Sequence, residues 1–422
     1  MPLYVALAAL EMAVARRRGA TAYGNYGLAD TVGNLSAGLG EVVIGLFIGP
    51  LLIALYDWAF ARLALLHWPT GPMWTLASWL AAFLLADLGY YLYHRVGHRS
   101  AALWAIHGVH HQSERFNLTI ALRHPWFSDF YAPIFYAPLP LLGIPPEQFF
   151  IAITLISFYA LTIHSRLFDR PSLGIFVTPR THILHHARNP RYIGKNLGAM
   201  FTIWDRLFGT HVEPDPADPP RLGAPAGYQS HDGALAQWLF PAALLHTLRQ
   251  TRSLRDRVRL LFSRPGWLPP GVEPPPMFYG RPARAESEIP LRTSLYVVGQ
   301  FALTVGLALD VLWLRDRHPK ALLIAASALI LWSLSTLGGL LDGRRAAPAQ
   351  EQLRLGATAA LGAALLASGR YWGLGGLLLV GALGGGYLLR RLADSVTRGL
   401  AEGAQQGAAL DERPQKLTQE LL

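Results

Sequence analysis

The chain has 422 residues, of which 52% are hydrophobic and 15% are charged, whereas a soluble domain carries roughly 25% charged residues. It contains no cysteine, which excludes disulfides, iron–sulfur clusters and thiolate metal sites, so any metal must bind histidine, carboxylate or water. The net charge is +10, and the arginines border apolar segments without forming an aromatic-interleaved patch. Anionic lipid headgroups are therefore an expected partner, and nucleic acid is not.

Apolar runs of the length that crosses a bilayer, about 17–25 residues, recur along the chain. The first run, Leu3–Val14, is followed by three arginines, which predicts a retained helix whose C-terminal end lies in the cytoplasm. Residues 130–163 are apolar but interrupted by five prolines, as expected of two half-spans that form a hairpin within the membrane. Continuous spans are predicted at 35–56, 73–93, 296–314, 320–341, 353–369 and 372–390.

Positive charge is distributed unevenly around these spans. The loop before the 73–93 span has no lysine or arginine, whereas several arginines follow it, which predicts that residues 94–129 and 164–292 lie on the cytoplasmic face. The basic loop 315–320 runs against this rule. The predicted fold class is all-α, a multi-pass transmembrane helical bundle with a histidine-box metal site on its cytoplasmic face. Its predicted segments are an N-terminal helix and loop (1–34), a membrane di-metal domain (35–215), a Pro/Arg-rich cytoplasmic connector with an amphipathic piece at 234–249 (216–292), C-terminal transmembrane helices (293–392) and a polar tail (393–422).

Nine of the fifteen histidines fall in three short boxes. Residues three or four apart project from one face of a helix, so His94 and His98 are predicted to bind one ion, and His107 can do the same with either His110 or His111. One transition metal takes about four to six ligands, so nine imidazoles are too many for one ion and fit two. The predicted metal ligands are His94, His98, His107, His110, His111, His164, His182, His185 and His186.

Asp87 lies two helical turns before His94 in an otherwise apolar helix. An aspartate in such a helix costs about 2.5–3.5 kcal/mol on insertion scales, so a compensating partner is expected. The far nitrogen of a metal-bound histidine is the predicted donor. The alternative is that Asp87 faces a polar cavity.

The boxes and their surroundings resemble the fatty acid hydroxylase/sterol desaturase superfamily of membrane di-iron oxygenases, over about Leu84–His211. The similarity is carried by Asp87-Leu-Gly-Tyr-Tyr-Leu-Tyr-His94, by Trp104-Ala-Ile-His107 and by the Trp204-Asp205-Arg206-Leu207-Phe208-Gly209-Thr210 text. Within the superfamily, the chain is most similar to the alkylglycerol monooxygenases. Arg99 departs from that group, because the animal enzymes carry glutamate directly after the second histidine of the first box.

The resemblance implies two iron ions, O2 and a membrane lipid substrate. Hydroxylation beside an ether oxygen would give a hemiacetal that breaks into an aldehyde and a glycerol lipid. Tetrahydropterin is the reductant implied for the animal ether-lipid enzymes, and another electron donor or electron-transfer partner is the alternative. Supporting catalytic roles are expected for Asp87, Asn196 and Asp205, and contacts to the lipid headgroup or its phosphate for Asn117, Arg123 and Arg188.

Three other functions are weighed against this hypothesis. A hydroxylase or desaturase acting on sterols or fatty acyl chains would use the same metal site. A membrane metal-binding or transport protein would carry its ligands along a transmembrane path, whereas the boxes gather at one face. A zinc hydrolase would need an HExxH-type motif, which the sequence lacks. The expected location is a bacterial inner membrane, or the endoplasmic reticulum in a eukaryote.

Overall fold

The computed structural model describes residues 2–18, 26–165, 174–224, 228–275 and 288–410. These residues form helices joined by loops, with two isolated β-bridges, which confirms the all-α prediction. The chain divides into two compact units, residues 1–229 with 236–278, and residues 230–235 with 279–422. The α-helices are α1 (Pro2–Arg18), α2 (Leu28–Leu63), α3 (Pro72–Gly97), α4 (Ala101–His107), α5 (Ala132–Tyr136), α6 (Pro138–Leu141), α7 (Pro146–Thr162), α8 (Pro179–His185), α9 (Ile203–Leu207), α10 (Gly233–Gln250), α11 (Leu254–Phe262), α12 (Leu291–Trp313), α13 (Lys320–Leu341), α14 (Ala347–Ala367) and α15 (Trp372–Leu410).

Five of the described helices are long and apolar enough to cross a membrane, namely α2, α3, α12, α13 and the Trp372–Arg391 part of α15. Large apolar side chains such as Leu51 and Leu76 point outward from α2 and α3, as expected of helices that face lipid. The predicted multi-pass membrane architecture is therefore confirmed, while the cytoplasmic orientation stays a prediction.

Two predicted spans differ from the structure. The span at 35–56 is the middle of a helix of 36 residues, α2, which continues through Pro50. The span at 353–369 corresponds to α14, which is not among the membrane-length apolar helices. Glu351 and Arg354 lie inside α14 and form a buried ion pair, and these charges lower the hydropathy of the helix.

Prolines set the helix boundaries around the metal site. Pro72, Pro146 and Pro179 each occupy the first helical turn of α3, α7 and α8, where a missing N–H costs nothing. The proline-rich stretch before α7 consists of the short helices α5 and α6, the broken form that the sequence predicts for this region. The helices α3, α7 and α8 end at or beside His94, His164 and His185, so their ends meet at the histidine site.

Candidate metal centre

The structure brings all nine predicted ligands together in two adjacent clusters. Within each cluster, one nitrogen of every imidazole lies within 4.8 Å of the others. The five-histidine cluster contains His94, His98, His107, His111 and His185, and the four-histidine cluster contains His110, His164, His182 and His186. His107 therefore groups with His111, the alternative that helical spacing left open.

The distances between nitrogens fit a bound metal ion. In the four-histidine cluster, His164 Nε2 lies 3.0 Å from His182 Nε2, 3.2 Å from His186 Nε2 and 3.4 Å from His110 Nε2. Four nitrogens at about 2.1 Å from one ion in a tetrahedron are about 3.4 Å apart. In the five-histidine cluster, Nε2 of His111 and Nε2 of His107 are 3.2 Å apart. The spacing is that of ligands around a common centre.

Sequence neighbours serve opposite clusters, which keeps the two clusters in contact. His110 and His111 diverge into the four- and five-histidine clusters, as do His186 and His185. The centroids of the His111 and His186 rings are 4.7 Å apart across the boundary. Adjacent residues thus place one imidazole in each cluster, which couples the positions of the two clusters.

Burial keeps these imidazoles neutral. Desolvation lowers the pKa of His110, His111, His182, His185 and His186 well below the usual value, and neighbouring histidines lower it further. A neutral imidazole has a lone pair available for a metal, whereas a protonated one has none. The site is therefore ready to bind metal at neutral pH.

Backbone carbonyls fix the tautomer of four rings. The distance from Nδ1 to the carbonyl oxygen is 2.8 Å for His94 and Leu197 and 3.0 Å for His185 and Lys195. It is 3.2 Å for His110 and Arg123 and 2.8 Å for His164 and Ala160. A carbonyl only accepts, so Nδ1 carries the proton and Nε2 keeps its lone pair. Among the described residues, Nε2 of His94 and of His185 is buried without a hydrogen-bond partner. The residues present therefore fit a metal ion in each cluster.

Residues 195–201, which we name the ligand-orienting segment, supply two of those carbonyls. Asp205 is buried and binds this segment, accepting hydrogen bonds from Leu197 N and Gly198 N at 2.8 Å each and from Thr210 Oγ1 at 2.7 Å. Gly198 N and Leu197 O belong to the same peptide group, and Leu197 O accepts the His94 Nδ1 proton. The Asp205 carboxylate thus acts on His94 through one polarised peptide group, which we call the peptide relay.

Asp87 has a different partner from the one expected. Its carboxylate accepts from Met200 N at 3.0 Å, from Phe201 N at 3.3 Å and from Trp204 Nε1 at 2.9 Å. The prediction of a direct bond to a metal-bound histidine is therefore wrong, because backbone N–H groups of the ligand-orienting segment and the Trp204 indole occupy the carboxylate. Asp87 is fully buried, and these three donors compensate for its charge.

Asn196 is itself part of the ligand-orienting segment, and its side chain ties the segment to Thr181 and Val212. Its Nδ2 donates to Thr181 O and Val212 O, and its Oδ1 accepts from Val212 N, all at 2.9 Å. Its φ of 50° is the one positive value among the described non-glycine residues, and asparagine tolerates this left-handed conformation better than most residues. Asp87 and Asp205 therefore bind this backbone segment from neighbouring helices, and Asn196 anchors it from within, beside the five-histidine cluster.

Two of the predicted headgroup contacts are buried in hydrogen bonds. Arg123 is 2% exposed and donates to Val109 O at 3.0 Å, Asn34 Oδ1 at 3.1 Å and Gln112 Oε1 at 2.6 Å. Asn117 caps a short 3₁₀ helix, accepting from Thr119 N at 2.9 Å. These contacts favour positioning over lipid binding. Arg188, in contrast, is exposed.

Sequence reasoning missed the polar residues of the first two helices. Glu11 in α1 is buried and accepts from Leu118 N at 2.7 Å and from the hydroxyl of Ser165, the residue after His164, also at 2.7 Å. Asn34 in α2 bonds Thr119 Oγ1 at 3.0 Å as well as Arg123. A single glutamate inside the apolar run Leu3–Val14 was the available signal, since a charge in such a run needs a partner.

A multi-pass membrane protein with two adjacent, buried, all-histidine clusters is the class that this fold and site define. The fatty acid hydroxylase family model matches residues 79–210, which contain all nine clustered histidines. The alkylglycerol monooxygenase of Danio rerio is 31% identical over 342 residues, covering 77% of this chain and 73% of that protein. The human alkylglycerol monooxygenase is 29% identical over 361 residues, 84% of this chain and 79% of its own. An ornithine lipid hydroxylase of Rhizobium tropici is 32% identical over 155 residues, 36% of this chain and 46% of the relative.

The chain belongs to the fatty acid hydroxylase family and, by its long matches, to the alkylglycerol monooxygenase branch, which confirms the resemblance seen in the sequence. No solved structure matches the chain.

Proposed function

We propose that two iron ions in the two histidine clusters allow this protein to hydroxylate a membrane lipid with O2. We propose further that the preferred substrate is an alkylglycerol lipid, which is hydroxylated at its ether-linked carbon. The coarser statement, that the chain is an integral membrane lipid-hydroxylating monooxygenase, follows from its family. The observation that carries the finer proposal is the pair of clusters with five and four neutral imidazoles. Iron bound there would supply the redox chemistry that O2 requires.

The overall reaction fixes what must be delivered to the site. One oxygen atom of O2 enters the C–H bond as a hydroxyl, and the other leaves as water, which consumes two electrons and two protons. A hydroxyl on the carbon beside the ether oxygen forms a hemiacetal, which separates into an aldehyde and a free glycerol hydroxyl. A reductant is therefore a necessary partner, either tetrahydropterin or another electron donor.

The protein's own residues would orient the ligands and exclude water. The ligand-orienting segment directs His94 and His185, while Arg123 O directs His110. We assign Asp87, Asn196 and Asp205 to holding that segment in place. Eight of the nine histidines are buried and His98 is half-buried, so bulk water has little access to their nitrogens.

The site would lie at the membrane surface, where a lipid can reach it. His94 is in the last turn of the membrane-length helix α3, and His164 follows the apolar helix α7. Arginines at 95, 99, 115 and 123 accompany this end of the helices, which supports a cytoplasmic site by the positive-inside rule. Exposed Arg188 remains our candidate for contact with a lipid phosphate.

The test is anaerobic purification of the full chain with metal quantification, followed by addition of O2, a reductant and an alkylglycerol. Two irons per chain and release of a fatty aldehyde are expected. Hydroxylated sterol or fatty acid without aldehyde would replace the proposed substrate and keep the metal chemistry. A chain that binds only zinc, or that transports metal without oxidising lipid, would refute the oxygenase.

A further inference from the structure

The helix α11, Leu254–Phe262, has an apolar stripe that faces away from the protein. Leu254, Val258 and Phe262 are spaced four residues apart, so they lie along one face of the helix. Their exposed fractions are 74%, 49% and 75%, whereas Leu260 on the opposite side is 3% exposed and packs inward. Water-exposed apolar stripes of this kind are unfavourable, so the stripe requires a partner.

Arginines flank the stripe and continue beyond both helix ends. Arg255 and Arg259 lie on one side of it, and Arg257 lies on the other. Arg252 and Arg264 extend the basic surface, and all five arginines are exposed. Asp256 is the one acidic residue between positions 252 and 264, so the surface carries a strong positive charge and fits a negatively charged partner.

We propose that α11 lies flat on the membrane, with its apolar stripe in the headgroup–acyl boundary and its arginines bound to anionic lipid headgroups. An apolar face bordered by arginines is the pattern of helices that bind in the plane of the interface. Long arginine side chains can reach headgroups while their stems cover apolar surface. Charge complementarity selects anionic lipid over a neutral surface, because basic residues close to an anionic surface are attracted to it.

This surface is joined to the histidine site by hydrogen bonds. Ser100 Oγ donates to Leu261 O, and Ala101 N donates to Ser263 O, each at 2.8 Å. Ser100 is the N-cap of α4, the helix that ends at His107. Contact between α11 and the lipid surface therefore sets the position of a metal-binding helix relative to the bilayer, independently of which lipid is oxidised.

The absence of cysteine from the sequence makes a direct test simple. Single variants Val258→Cys, Phe262→Cys and, as a control in an exposed loop, Ala217→Cys would be labelled with bimane. The full chain would be reconstituted in phosphatidylcholine, or in an equimolar mixture with phosphatidylglycerol, containing acyl-brominated lipid as quencher. Fluorescence at 258 and 262 should be lost to a greater extent than at 217, and to the greatest extent in the anionic mixture.

Charge is tested separately by adding Arg255→Gln and Arg259→Gln to Phe262→Cys. This change removes two of the five exposed arginines and should reduce the difference in quenching between anionic and neutral bilayers. Quenching at 258 and 262 no greater than at 217 would overturn the proposal. So would protection of these labels that appears only as the protein concentration rises, because a second copy would then cover the stripe. Metal content of each variant shows that the site is intact, so failure of this proposal is distinguishable from failure of the proposed function.

Discussion

Asp205→Asn changes the peptide relay by very few atoms. The carboxylate accepts three hydrogen bonds, from Leu197 N, Gly198 N and Thr210 Oγ1. Asparagine has nearly the same shape but offers one acceptor oxygen and one amino donor. At least one backbone N–H of the ligand-orienting segment then faces a donor, and the negative charge that polarises the Leu197–Gly198 peptide is gone.

The expected loss of metal affinity follows from the hydrogen bonds that the substitution removes. A hydrogen bond to a charged group contributes about 1.5–3 kcal/mol, and about 1.4 kcal/mol corresponds to a tenfold change in affinity. If this loss is transmitted to the metal, the affinity falls roughly 10- to 100-fold, the range seen when residues behind metal ligands are changed. Since His94 belongs to the five-histidine cluster, that cluster alone should weaken.

The measurement is iron retained by the full chain during titration with a chelator. Asp205→Asn should release one iron at a lower chelator concentration and hold the other as the unmodified chain does. Asp215→Asn is the matched control, because Asp215 forms its ion pair with Arg191 at the surface. Unchanged retention of both irons in Asp205→Asn, or equal weakening of both, would refute the relay.

Three further changes test other parts of the site. His110→Ala removes one of the four nitrogens of its cluster, so metal analysis should show the loss of that cluster's iron. His246→Ala is the control, because His246 lies outside both clusters and its replacement should release no iron. Full iron content in His110→Ala would exclude His110 as a ligand. In Arg123→Lys, the lysine cannot reach all three acceptors of the guanidinium, so the fold should be destabilised by about 3 kcal/mol or more. The measurement is the midpoint of thermal unfolding, with Arg188→Lys as the exposed control. Equal midpoints for the two variants would contradict a structural role for Arg123. Glu11→Gln weakens the hydrogen bonds from Leu118 N and Ser165 Oγ. It should lower both the midpoint of thermal unfolding and the iron retention of the four-histidine cluster. Unchanged values of both would show that α1 does not help to position His164.

The ligands were predictable because their spacing is local. Histidines three or four residues apart share a face wherever a helix forms, and five of them within eighteen residues leave few other functions. The assignment of each histidine to one of the two clusters was harder to predict from the sequence. His110 and His111 separate because a 3₁₀ turn, Gly108–His111, follows α4, and the local pattern does not determine that change of helix type.

The residues behind the ligands were harder to place because their contacts are distant in sequence. Helical spacing predicts that Asp87 shares a face with His94, yet both bind residues 195–201, which lie more than a hundred positions along the chain. The sequence also predicts that Arg123 contacts a lipid headgroup, and only its three buried acceptors reveal another role. Glu11 could have been found from the cost of a lone charge in an apolar helix, but its partners could not.

The relay also bears on how the site tolerates metal charge. Among the described residues, both clusters consist of imidazoles only, so two divalent ions bound there would bring positive charge into a site where an uncompensated charge costs several kcal/mol. Asp205 and Asp87 place two carboxylates on the ligand-orienting segment. Because they act through peptide groups, they offset that charge without occupying a coordination position. We infer that this is why the carboxylates bind backbone N–H groups: held there, they would not compete with O2 or a lipid for access to a bound metal.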